Sequence, residues 1–83
     1  MLIRCQKLMD GPGPSEAIVS VRTIAGEEEV VVYTGSLSNG YLDVGPHLSK
    51  RSDQVLVELP RETASGRWRV WIPTSEVESQ EKP

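Results

Sequence analysis

The sequence predicts an all-β fold, a small antiparallel meander of five or six strands that closes into a barrel. Three observations carry this. Apolar and polar residues alternate with a period of two in several short runs, most sharply from Gln54 to Ile72. Seven glycines and six prolines cut the chain into short pieces, and β-branched valine is its commonest apolar residue. No segment keeps a 3.6-residue apolar period between helix caps. Short strands in succession cannot hide one face while lying flat. In a chain of 83 residues a barrel therefore suits them better than a sandwich.

The elements follow in order. Met1 to Met9 alternates weakly, with Met1, Ile3, Cys5 and Met9 on one side, and reads either as a short strand or as a frayed arm. Two glycines and two prolines make residues 10–15 a loop, so residues 1–15 form an N-terminal strand or arm plus a Pro/Gly loop. Residues 16–77 are expected to be the barrel core and 78–83 a flexible tail, all within a single domain. Glu16 to Ile24 places Ala17, Val19 and Val21 on one face, and Ala25-Gly26-Glu27 then turns the chain. Glu28 to Thr34, with three consecutive valines and a tyrosine, is the strongest strand signal. Asn39-Gly40 is a favoured hairpin dipeptide, so VVVYT and YLDV are expected to pair across GSLSNG. Residues 45–53 form a long loop holding the only histidine, His47.

The second hairpin organises the rest. Val55, Val57 and Leu59 share one face of its first strand. In its second strand Trp68, Val70 and Ile72 face the core, while Arg67, Arg69 and Trp71 face outward. Pro60 removes a ladder donor and Gly66 admits a positive φ, which makes residues 61–66 the turn. Thr74 to Val77 suits a single 3₁₀ turn.

The ending Ile72-Pro73-Thr74-Ser75-Glu76-Val77-Glu78 resembles the closing segment of Src-homology-3-type barrels. There an apolar residue and a proline lead a strand into a short 3₁₀ turn that ends in valine. The resemblance spans seven residues and implies an Src-homology-3-like barrel topology. The family's tyrosine-rich first motif, which lines its proline-peptide groove, has no counterpart here. The further turn that usually precedes the family's Pro strand is also missing, because Trp68 runs directly to Pro73.

Composition narrows the function. A chain this short buries only about 60% of the surface its unfolded form exposes. Net charge is −3, the opposite of the cationic surplus that general nucleic-acid binders use on phosphates. A single cysteine rules out an internal disulfide and a cysteine-based zinc site. It suits a reducing compartment, and with no apolar run of signal or membrane-spanning length the chain is expected in the cytoplasm, away from membranes. Cys5 and His47 are the only thiol and imidazole, and nothing in their spacing brings them together. Glu27-Glu28-Glu29 reads as a solvated, turn-side run. No phosphate loop, zinc pattern or nucleotide fingerprint occurs, so neither an enzyme nor a cofactor is expected.

One constellation stands out. Arg67, Arg69 and Trp71 line the outer face of one strand, with Arg61, Lys50 and Arg51 in flanking loops. Lys50 to Arg69 holds five basic and three acidic residues. An exposed indole beside guanidinium planes stacks a base, a proline or an aromatic ring, unless arginine stems simply cover it. Three readings follow. The first is a non-catalytic module that binds a protein partner. The second is a nucleic-acid-associated barrel, disfavoured by the net charge. The third is a structural protein that self-associates through strand edges.

Overall fold

The structure, a computed structural model, describes residues 1–78. It is all-β and antiparallel, with eight strands: β1 (Leu2–Asp10), β2 (Glu16–Thr23), β3 (Gly26–Tyr33), β4 (Leu37–Ser38), β5 (Tyr41–Asp43), β6 (Ser49–Lys50), β7 (Gln54–Glu58) and β8 (Arg69–Pro73). Two short 3₁₀ turns, Thr34–Ser36 and Thr74–Glu76, complete it, the second where the sequence predicts one.

The strands form two sheets, β3-β2-β1-β5-β4 and β6-β7-β8. The expected closed barrel of five or six strands is therefore corrected: there are more strands, and neither sheet closes on itself. Only sparse backbone links join the sheets. Val77 bridges Ile3, the Ile24 N–H donates to the Trp71 carbonyl at 3.0 Å, and the Ala64 N–H donates to the Glu29 carbonyl at 2.8 Å. Such isolated bonds do not make a continuous ladder. The two layers instead pack over one core drawn from both, which includes Ile3, Val19, Val32 and Leu42 from the large sheet and Val57 and Ile72 from the small one.

Every one of the buried hydrophobic residues is aliphatic, so both tryptophans and both tyrosines lie outside the core. The period-two reading holds where the ladders are regular. Ala17, Val19 and Val21 are buried in β2, and Val55 and Val57 in β7, with Leu59 continuing their face. The β7–β8 ladder has the expected register, from Gln54 opposite Pro73 to Glu58 opposite Arg69.

Residues 1–9 are no frayed arm: β1 is the central strand of the large sheet. Its alternation breaks at Leu8, where the register slips between Lys7 and Met9. The extra residue turns Met9 to the outer face, 58% exposed, so it does not share the side of Ile3 and Cys5. The expected pairing of VVVYT with YLDV does not form either. Asn39 (φ 51°) and Gly40 (φ 85°) build a two-residue turn, which pairs Ser38 with Tyr41 and Leu37 with Leu42. The 3₁₀ turn Thr34–Ser36 ends β3 before this hairpin begins, and β5 pairs with β4 on one side and β1 on the other. The long loop of residues 45–53 contains β6, which pairs with β7.

Trp68 is the largest departure. It is 49% exposed instead of buried. The paired ladder ends at Glu58–Arg69, although the Leu59 N–H still donates to the Trp68 carbonyl at 2.8 Å. The chain bends at residue 68 and leaves the strand, so alternation no longer fixes its side chain. The tail expected from residue 78 begins with a held residue, since the Glu78 N–H donates to the Leu2 carbonyl at 2.9 Å. The rest of that tail, residues 79–83, lies outside the described residues.

Candidate functional site

The six residues singled out by sequence do not form one patch. Arg61 and Arg67 belong to a latch that ties the β7–β8 loop to the large sheet. The loop is built on Thr63, 5% exposed, whose N–H donates to the Arg67 carbonyl at 2.8 Å while its Oγ1 accepts the Arg67 N–H at 3.1 Å. Its carbonyl accepts the Gly66 N–H at 2.9 Å, with Gly66 at φ 89° as the turn requires. So folded, the loop extends its donors to two acidic residues. The Arg61 guanidinium hydrogen-bonds the Glu16 carboxylate. The Ser65 hydroxyl donates to Glu28 Oε1 at 2.7 Å, and Arg67 Nε lies 3.5 Å from Glu28 Oε2.

Glu28 is therefore not part of a solvated run. Its side chain is only 11% exposed. The Ser65 hydrogen bond, helped by Thr63 and by the Arg67 charge, holds its carboxyl below the ordinary value of 4.5 against the opposing effect of burial. The latch also covers part of an edge, because the Ala64 bond lies against β3, the outermost strand of the large sheet.

Arg51, Arg69 and Trp71 remain on the outer face of the small sheet. Residues directly paired across an antiparallel ladder share a face, so Ser49, Leu56 and Trp71 form one row and Glu58 and Arg69 the next. The Arg51 N–H donates to the Gln54 carbonyl at 2.9 Å, closing a tight turn. This turn carries the Arg51 guanidinium to 4.0 Å from the centre of the Trp71 ring. The indole is thus stacked by an arginine twenty positions away, not by Arg67 or Arg69 beside it in sequence. Among the described residues neither Arg51 nor Arg69 makes an ion pair. Trp68 and Leu48 are also exposed, just before β8 and β6 respectively.

Lys50 belongs elsewhere. It pairs with buried Val55, which places it on the core side of the sheet, where it lines a depression with His47. Cys5 lines a different depression, beside Arg4 and Ser20, so the thiol and the imidazole do not share a cavity. Burial pushes the Cys5 thiol above its ordinary 9.0, which favours the protonated, less nucleophilic form at neutral pH. Among the described residues no three His, Cys, Asp or Glu side chains converge as metal ligands, and no helix is long and apolar enough to cross a membrane. Sequence reading set Arg51 in a loop flanking the Trp71 strand and allowed that an arginine covers the indole, without singling out Arg51 for it. It missed the Glu28 latch, which has no local signal because it joins residues far apart in the chain.

Comparison with protein-family models, curated proteins and solved structures finds no match for this chain.

Proposed function

We propose that this chain is a small, non-catalytic protein-interaction module whose docking surface is the outer face of the three-stranded sheet. One observation carries the reading: Arg51 stacked on Trp71, with Arg69 beside it and Glu58 opposite Arg69, forms a mixed cationic and aromatic patch in which neither arginine makes an ion pair among the described residues, on a protein of net charge −3. Tryptophan and arginine are the residues most enriched where binding energy concentrates in protein interfaces. An arginine already held flat on an indole loses little further freedom when a partner docks. The chemistry favours a segment carrying a carboxylate next to an apolar or aromatic side chain.

The Src-homology-3-like topology belongs to the same proposal. What supports it is the closing segment: β8 leads through Pro73 into the 3₁₀ turn Thr74–Glu76, and Val77 then bridges Ile3. On this view the two sheets are the halves of a barrel left open along its seams. A cytoplasmic setting is proposed as well, because it suits a lone, protonated thiol.

The nucleic-acid reading is weaker, since Arg51 occupies a face of the indole that a base would need. Self-association through strand edges has less edge to use: Ala64 covers part of β3, the Ile24 N–H occupies the Trp71 carbonyl on β8, and the open edge strands β4 and β6 are two residues each.

The test compares the wild type with a variant carrying R51Q, R69Q and W71A. Both are offered soluble proteins of the source cell and a labelled single-stranded oligonucleotide. The proposal expects a specific polypeptide retained by the wild type, released by the triple variant, and only modestly weakened by salt. Oligonucleotide binding tighter than about micromolar at physiological salt overturns it in favour of the nucleic-acid reading.

A further inference from the structure

A second feature lies on the opposite side of the small sheet. The depression holding Lys50 has a volume of about 360 Å³, against about 170 Å³ beside Cys5 and about 200 Å³ beside Ile18 and Val31. Ligand-holding pockets run from roughly 300 to 1,000 Å³, so only this one of the three reaches the range. Its apolar lining is continuous with the core. Val55 belongs to the core cluster, and Met1 and Val77 pack against it.

We propose that this mouth takes the carboxyl-terminal residue of a partner polypeptide. The aliphatic side chain packs on Val55, Val77 and Met1, and the terminal carboxylate meets Lys50 and His47.

Lys50 and His47 supply the groups that a terminal carboxylate would meet. The Lys50 ammonium makes no ion pair among the described residues, and His47 is exposed beside it. The other polar groups are engaged or repulsive. The Thr74 hydroxyl donates to the Asp53 carbonyl at 3.3 Å, and the Met1 ammonium lies 3.7 Å from Asp43. Glu78 lines the same mouth and opposes any carboxylate there, so the acid's advantage over the amide measures Lys50 and His47 against Glu78. A chain terminus meets these demands better than an internal aspartate or glutamate, because it carries a carboxylate and an aliphatic side chain on the same carbon.

The strand beside the mouth argues for a polypeptide over a free acid. β6, which supplies Lys50, is the outermost strand of its sheet. Its neighbours Leu48 and Arg51 both spend their N–H groups towards β7. The other side of β6 is left for an incoming extended chain, which adds a strand while its last residue enters the mouth. This inference rests on the reading that the chain binds polypeptide, and it does not depend on the Trp71 face.

The experiment follows backbone resonances of the isotope-labelled full chain during titration with acetyl-Gly-Ser-Gly-Ser-Val bearing a free carboxylate. Parallel titrations use the same peptide as its C-terminal amide, and N-acetylvaline. The proposal expects Lys50, Val55 and Val77 to shift with the acid, and the amide to bind about tenfold or more weakly. K50Q, at an exposed position, should weaken the acid to a similar degree without changing Tm, while R69Q should leave it unaffected. Absence of shifts at millimolar peptide, equal binding of acid and amide, or N-acetylvaline binding as tightly as the peptide each overturns it. Shifts confined to the Trp71 face also overturn it, while leaving the broader protein-binding reading intact.

Discussion

Replacing Glu28 with glutamine tests the latch, because it removes the charge and keeps the shape. The Glu28 carboxylate accepts the Ser65 hydroxyl at 2.7 Å and faces Arg67 at 3.5 Å. A hydrogen bond to a charged group contributes about 1.5–3 kcal/mol, roughly twice a neutral one. The Arg67 side chain is 57% exposed, so its ion pair adds only about 0–1 kcal/mol. E28Q retains a neutral hydrogen bond and should therefore lose about 1 kcal/mol at neutral pH. For a domain of this size that lowers Tm by about 4–8 °C. The pH dependence has a definite sign. The folded carboxyl titrates below its ordinary 4.5, so its stabilisation is fully present above that value. It is lost as pH falls through 4.5 towards the lowered folded value. Urea unfolding of both proteins from pH 7 downward should show a gap that narrows below about pH 4.5 and then closes. A gap unchanged by pH, or no gap at pH 7, would refute the role assigned to this carboxylate.

Two further outcomes separate core from surface. Ile72, 1% exposed, should cost about 2–5 kcal/mol as alanine, whereas half-exposed Trp68 should cost clearly less when truncated; urea midpoints rank the two, and the reverse order would restore Trp68 to the core. Cys5 should react with iodoacetamide at pH 7 more slowly than a free thiol and reach the free rate only on unfolding, since burial raises its pKa.

The sequence shows most of this fold and less of the site, and the particular residues show why. Val55, Val57, Val70 and Ile72 are legible because a two-residue period maps directly onto the faces of a strand. The same rule misplaces Trp68, because nothing in the sequence marks where the ladder stops. It misplaces Met9 for a related reason, since a one-residue bulge at Leu8 inverts every assignment after it. Asn39-Gly40 is correctly read as a turn. The pairing of β5 with β1 on its other side joins residues about forty positions apart, which no dipeptide marks. The candidate arginines look alike in sequence. They divide by their partners: Arg61 and Arg67 meet Glu16 and Glu28 across the fold, while Arg51 meets Trp71.

That division is the central claim, and paired substitutions test it most directly. R61Q with R67Q should lower Tm, by about 1 kcal/mol of lost latch energy, and leave partner binding in place. R51Q with R69Q should lower Tm by no more than R61Q with R67Q does, because the surface Arg51–Trp71 stack contributes about 0.5–1 kcal/mol and Arg69 within about 0.5 kcal/mol, so binding is the readout that separates the pairs. The same pair should remove retention of the polypeptide partner. If R61Q with R67Q instead abolishes binding at unchanged Tm, while R51Q with R69Q binds normally, the latch and the docking face have been assigned to the wrong arginines.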